Sequence, residues 1–158
     1  MKKNSTFFIA FIVLFAAELQ AQALDPVPDS LIVAPTKRVI TVGLLHGGSI
    51  AGADVEFRML DGIGFQIGAG LIGFSTALNF HFKTDIKSSC ISMAYIHQGF
   101  GKLYFESLFV PSYIHRWKRG LSTQIGVGFL AEFGPKAKDL FKNEVPTLQP
   151  YLAVGYYF

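Results

Sequence analysis

Residues 121–133, LSTQIGVGFLAEF, alternate without a break between two kinds of side chain. Leu121, Thr123, Ile125, Val127, Phe129, Ala131 and Phe133 fall on one side of an extended chain; Ser122, Gln124, Gly126, Gly128, Leu130 and Glu132 fall on the other. A helix would scatter that order around its circumference, whereas a strand turns successive side chains to opposite faces. Residues 63–72 repeat the design, with Ile63, Phe65, Ile67, Ala69 and Leu71 set against Gly64, Gln66, Gly68 and Gly70. In 54–60, Val55, Phe57 and Met59 oppose Asp54, Glu56 and Arg58. In 102–117, Leu103, Phe105, Phe109 and Tyr113 oppose Lys102, Glu106, Ser112 and Arg116.

Working outward, the chain from Lys37 divides into eight such segments, at 37–46, 51–60, 63–73, 76–83, 89–98, 102–117, 120–133 and 147–158. Turn residues separate them: Asp61-Gly62, the stretch 84–88, Gln98-Gly99-Phe100-Gly101 and Lys118-Arg119-Gly120. A two-residue loop at Asp61-Gly62 would pair Leu60 with Ile63 and mix the faces, so a longer turn or a bulge is expected there. One connection is long and polar, GPKAKDLFKNEVP at 134–146.

Composition narrows the class. Of the 158 residues, 51% are hydrophobic, 15% aromatic and only 16% charged, against roughly 25% charged in average soluble proteins. No apolar run reaches the ~20 residues of a membrane helix. The N-terminus has the layout of an export signal: Lys2 and Lys3, an apolar stretch from Thr6 to Ala17, then small residues at Ala21 and Ala23 where a peptidase would cut. Residues 1–21 are therefore expected to be removed, with 22–36 an extended, proline-bearing leader and 37–158 the folded domain. Removing Lys2, Lys3 and Glu18 leaves 12 basic and 10 acidic residues, a net charge of +2. No basic run is long enough to follow a phosphate backbone, so a nucleic-acid partner is not expected. Cys90 is the only cysteine and cannot form an internal disulfide.

Alternation fits either a soluble barrel, apolar inside, or a membrane barrel, apolar outside. The polar faces of 63–72 and 121–133 hold Gly, Gln and Ser with a single Glu. That is too little charge for a water-facing wall, but it suits a narrow interior in which small residues leave room for larger ones opposite. The expected fold is thus an all-β, antiparallel, up-and-down transmembrane β-barrel of about eight strands. The final segment, PYLAVGYYF, puts Leu152, Val154, Tyr156 and Phe158 on one face and ends on an aromatic. It resembles the C-terminal recognition strand of bacterial outer-membrane barrels, with Tyr156 and Phe158 at the matching positions. It departs from that pattern at Ala153, where the family places a glycine. In pattern and length, residues 37–158 resemble the small eight-stranded outer-membrane barrels, such as the membrane domain of outer-membrane protein A and outer-membrane protein X.

The resemblance implies residence in the outer membrane of a Gram-negative bacterium after export through the periplasm. It also implies lipid around the barrel, delivery by the barrel-assembly machinery through the C-terminal strand, and a filled interior. It leaves the task open among anchor, adhesin, narrow pore and lipid-modifying enzyme. On the residues, a non-enzymatic structural or surface role is expected, with no catalytic residue, cofactor or metal ligand assigned and loop 134–146 as the surface for any partner. The lumen is expected to hold a polar network of Asp54, Glu56, Arg58, Lys102, Glu106, Arg116 and Glu132. In that network Glu106 would face Glu132, with a cation between them or a shared proton. Gly64, Gly68, Gly70, Gly126 and Gly128 would leave room for inward Tyr104, Tyr151 and Tyr157, or line a hollow that passes a small solute. His97 and Ser107 share the outward face, but the turn at 98–101 would set Ser107 opposite Met93. That leaves it about 13 Å from His97, too far for nucleophilic chemistry. His46, His81 and His115 stand isolated. Tyr95, Tyr113, Trp117, Tyr156 and Phe158 read as interfacial aromatics.

Overall fold

Alternating apolar and small residues with β-branched and aromatic side chains favour extended chain, and every predicted segment is a strand. The structure, a computed structural model, describes residues 37–101, 103–136 and 146–158. The strands are β1 (Arg38–Leu44), β2 (Ala51–Leu60), β3 (Ile63–Gly70), β4 (Gly73–His81), β5 (Cys90–Phe100), β6 (Tyr104–Arg116), β7 (Leu121–Phe133) and β8 (Leu148–Tyr157). Each pairs antiparallel with its neighbour in sequence, and β1 pairs with β8 to close the barrel. The export signal and leader, 1–36, lie outside the described residues, as do Lys102 and 137–145 of the long loop.

Arg38 and Tyr157 mark one end of the barrel, here the terminal end; the β1–β2, β3–β4, β5–β6 and β7–β8 connections mark the far end. The expected irregularity beside Asp61-Gly62 is a bulge, because Arg58 pairs with Gly64 and Leu60 with Ile63. A second irregularity lies between β6 and β7: Leu108 pairs with Leu130 but Ser107 pairs with Glu132. The β5–β6 turn falls later than the sequence suggests, since Phe100 pairs with Tyr104. Gly101, with φ of 62°, takes the left-handed conformation of this short hairpin. Moving the turn two residues along shifts every β6 partner of β5 by four. Strand β4 starts at Gly73 rather than residue 76, and a Cβ on Gly73 would run into the carbonyl oxygens of His97 and Gly48.

The faces are sorted the opposite way to those of a water-soluble protein. Large apolar side chains cover the outer wall, among them Phe57, Ile67, Phe74, Leu78, Phe109, Val127, Phe129, Leu152 and Val154, each at least 36% exposed. Charged and amide side chains lie inside: Asp54, Glu56, Gln66, Asn79, Glu106, Arg116 and Gln124 are all 8% exposed or less. The apolar part of the interior is a cluster of Ala77, Ala94, Ile96, Leu108 and Val110, with Leu130 and Tyr151 against it.

A connecting segment folds inward at each end. At the far end residues 46–49 fold inward and are buried, and a Cβ at Gly48 would overlap the carbonyl of Phe74. At the terminal end Ile86, in the β4–β5 connection, is 1% exposed and packs with Val39 and Tyr157. The five inward glycines make room, but for other groups than tyrosine. A Cβ on Gly64 would overlap the Glu56 carboxylate, on Gly68 that of Asp54, on Gly70 the side chain of Ser49, and on Gly126 that of Ser112. At Gly128 it would press on Leu108 at 3.2 Å. Tyr151 and Tyr157 do turn inward, donating their hydroxyls to the carbonyls of Leu45 and Trp117, both at 2.6 Å. Tyr104 is at the far rim, where the Lys136 ammonium lies 6.0 Å from its ring centre. Gly68→Val should therefore lower stability by about 1–3 kcal/mol through overpacking alone, and by more through displacement of Asp54. Urea unfolding followed by tryptophan fluorescence of Trp117 would measure it.

Candidate functional site: a buried polar lumen and an outer-wall cluster

A carboxylate in a narrow interior must find donors, because a buried unpaired charge is prohibitively costly. Asp54 and Glu56 sit two residues apart on β2 and both point inward, each gathering its own set. Toward the far end, Asp54 Oδ2 accepts from His46 Nδ1 at 2.5 Å, and Oδ1 accepts from Ser75 Oγ at 2.9 Å and the Gly47 amide at 3.2 Å. Asp54 thereby ties β2 to β4 and holds the inserted β1–β2 loop. The His46 ring lies against Gly43 and Gly155, which pair with each other across the β1–β8 closure. That closure has only four paired positions, so the ring covers the shortest seam of the barrel.

Toward the terminal end, Glu56 Oε1 accepts from His81 Nε2 at 2.6 Å and Oε2 from Arg116 Nη2 at 2.5 Å. Arg116 Nη1 donates to the carbonyl of Ile86, fastening the β4–β5 connection in place. His81 Nδ1 lies 3.2 Å from the carbonyl of Ser88. One carboxylate on β2 therefore joins β4, β6 and the terminal-end plug. Two neutral pairs complete the interior: Asn79 Nδ2 donates to Gln66 Oε1 and Gln124 Nε2 to Ser112 Oγ, both at 2.8 Å.

The structure brings together only part of the predicted network. Asp54, Glu56, Glu106 and Arg116 are buried inside. Arg58 is half-buried at the terminal rim and donates to Asp61 at 2.8 Å. Lys102 lies outside the described residues. Glu132 is not in the lumen: the β6–β7 irregularity carries it to the exposed outer wall, and Glu106 pairs with Phe133 instead. The facing Glu106–Glu132 pair does not exist, and with it goes any need for a cation between them. His46 and His81, taken as isolated, are the partners of Asp54 and Glu56. The His81 bond joins β4 to β2 and the His46 bond joins the β1–β2 connection to the strand that follows it; neither can be read from alternation within a single strand. Among the described residues no group of three or more His, Cys, Asp and Glu is arranged to hold a metal ion.

On the outer wall the shifted β5–β6 turn overturns the expected separation of His97 and Ser107. The two are directly paired, and His97 Nδ1 lies 2.8 Å from Ser107 Oγ. Ser107 pairs on its other side with Glu132. The His97 ring sits between Phe74, stacked at 5.1 Å, and Phe105 at 5.2 Å. Nearer the terminal end, His115 meets Trp117 edge-on at 4.0 Å, and Tyr156 meets Phe158 edge-on at 5.2 Å. Tyr113 joins the first group, while Tyr95 lies near Phe74. Cys90 is fully buried within its strand.

Neither a family model, a curated protein nor a solved structure matches this chain. The interior bonds make a direct prediction. Arg116→Met should cost about 3–5 kcal/mol, since it strips Glu56 of a buried charged partner. Adding Glu56→Gln should recover much of that loss, because the remaining group is neutral and can still bond His81. Urea midpoints of the three proteins would show it, and equal midpoints for the single and double variants would refute the coupling.

Proposed function

We propose that this chain is an integral outer-membrane β-barrel protein with a filled, closed lumen and a structural or anchoring role, meeting other molecules at its surfaces. The observation that carries this reading is the inverted sorting of side chains. A soluble protein seldom exposes an apolar patch beyond a few hundred Å², yet here apolar side chains cover strand after strand around the barrel. Lipid is the solvent that makes such a wall favourable, and closure of the barrel leaves no strand edge unpaired in it. Strands of 7–13 residues bracket the ~9–11 that a tilted strand needs to cross a bilayer. Trp117, Tyr156 and Phe158, exposed at the terminal end, suit a membrane interface.

The N-terminal export signal, the Gram-negative outer membrane as destination and insertion by the assembly machinery through Tyr156 and Phe158 complete the proposal. Loop 134–146 is its surface for a partner. A small-solute pore fits less well, because residues 46–49 occupy one mouth and Ile86 the other.

Two measurements test this reading. Cell fractionation should place the protein in the outer membrane, where unboiled and boiled samples should run at different apparent masses in SDS gels. No shift, with release of the protein by osmotic shock, would show a soluble carrier. Independently, Ile67→Arg, at an outward site on β3, should cost about 2–4 kcal/mol in lipid vesicles if it lies near mid-bilayer. A soluble barrel would tolerate the change within ~0.5 kcal/mol.

A further inference from the structure

Charge is divided unevenly between the two ends of the barrel. Among the described residues, Lys37, Arg38, Arg58, Lys83, Lys87, Lys118 and Arg119 lie at the terminal end, with Asp61 and Asp85 the acidic side chains there. Both acids have local donors, Arg58 for Asp61 and the Lys87 amide for Asp85. The far end holds one described cation, Lys136, which lies against Tyr104.

Topology brings four of the terminal-end cations to one seam. Lys37 and Arg38 open β1, Lys118 and Arg119 form the β6–β7 turn, and the end of β8 runs between the two. The Tyr157 amide donates to the Gly120 carbonyl at 2.7 Å, and the Phe158 amide to that of Ile40 at 2.9 Å. The Phe158 carboxylate balances one of the four charges at most. Aromatic rings gather at the same place. Tyr156 lies over Gly120, where a Cβ would overlap its ring, and meets Phe158 edge-on at 5.2 Å. Trp117 is exposed beside the turn. Arg38 is itself on the outer wall, continuing the outward row of Ile40 and Val42 while Val39 turns in. The other cations within described strands, Arg58 and Arg116, have inward positions.

An arginine at the edge of an apolar wall lays its stem along that wall and holds its guanidinium at headgroup level. Its planar fork fits two oxygens of one phosphate. Clusters of Lys and Arg beside a membrane span draw anionic lipids, each cation adding roughly a fivefold preference. A ligand matched to both the charge and the apolar wall of this seam is an anionic amphiphile. We infer that the β7–β8–β1 seam binds an anionic phospholipid of the phosphatidylglycerol type, from the leaflet at the terminal end. Arg38 takes the phosphate, Lys37, Lys118 and Arg119 surround it, and the acyl chains lie on Ile40, Val42 and Val154. The inference rests on the outer wall being lipid-facing.

Trp117, the only tryptophan, reports lipid contact at the seam. The full mature chain is folded into mixed vesicles of phosphatidylcholine and phosphatidylglycerol, with bromine on the acyl chains of one lipid or the other. Quenching of Trp117 then gives their relative occupancy, and the heat-dependent gel shift confirms the barrel in every variant. Phosphatidylglycerol should be preferred about tenfold at low salt, and the preference should shrink as salt screens the charges. Arg38→Gln should lower it about fivefold, Arg38→Lys by less, and the triple variant Arg38→Gln/Lys118→Gln/Arg119→Gln should bring it near parity. Lys136→Gln, at the far end, should leave it unchanged. Inorganic phosphate at matched ionic strength should not displace the lipid; displacement would reveal a free-anion site and overturn the inference. Equal quenching by the two lipids, or a preference that survives the triple variant, overturns it as well and leaves the membrane reading standing. Absence of the gel shift would instead sink the membrane reading and this inference with it.

Discussion

Inside the barrel, the Glu56 carboxylate is held between the guanidinium of Arg116 and the imidazole of His81, all three nearly or wholly out of reach of solvent. Much of the terminal half follows from that contact. Because Glu56 is on β2, His81 on β4 and Arg116 on β6, the bonds span the lumen and set the heights of strands that never touch. The second amine of Arg116 holds the Ile86 carbonyl, so the same charge also fastens the β4–β5 connection. A buried ion pair is a weak source of net stability. Its effect here is specificity: a strand slipped by one residue would turn its charge into the apolar outer wall.

Asp54 repeats the arrangement one inward position away, with neutral and histidine donors in place of arginine. The two carboxylates need space, and glycines of the neighbouring strand β3 supply it: Gly68 directly opposite Asp54, and Gly64 diagonal to Glu56, whose own partner is Gln66. Gly64 and Gly68 lie beside Glu56 and Asp54 at distances that no Cβ could share. Small residues on one wall and charged ones on the next are therefore a single packing solution. At the two ends the inward Tyr151 and Tyr157 donate their hydroxyls to the backbone carbonyls of Leu45 and Trp117.

Departures from ideal alternation place the polar groups of the outer wall. The turn at Gly101 decides that His97 meets Ser107, and the irregularity beside Leu108 decides that Glu132 joins them rather than Glu106. Each amounts to a shift of a few residues at most. Because strand side chains have a period of two, a shift of one residue exchanges inside for outside. Proteins use such irregularities where one side chain must face a particular way while the rest of the strand keeps its packing.

The eight strands, their order of pairing and the division of most residues between the two walls were legible from sequence. Period-two alternation is a local property, and Leu121–Phe133 displays it over thirteen residues without reference to any neighbour. The inward positions of Asp54, Glu56, Glu106 and Arg116 were legible for the same reason, being a matter of parity within one strand. Hidden from it were the contacts that depend on register between strands or on where a connection folds: His81 with Glu56, Ser107 with His97, the outward turn of Glu132, and His46 with Asp54. The residues around Gly101 allow turns at more than one place, and a bulge leaves no mark in composition. Both are settled only when neighbouring strands compete for hydrogen bonds and the two loop plugs fill the ends. Sequence determined which face each residue prefers; the closed barrel decided which residues meet.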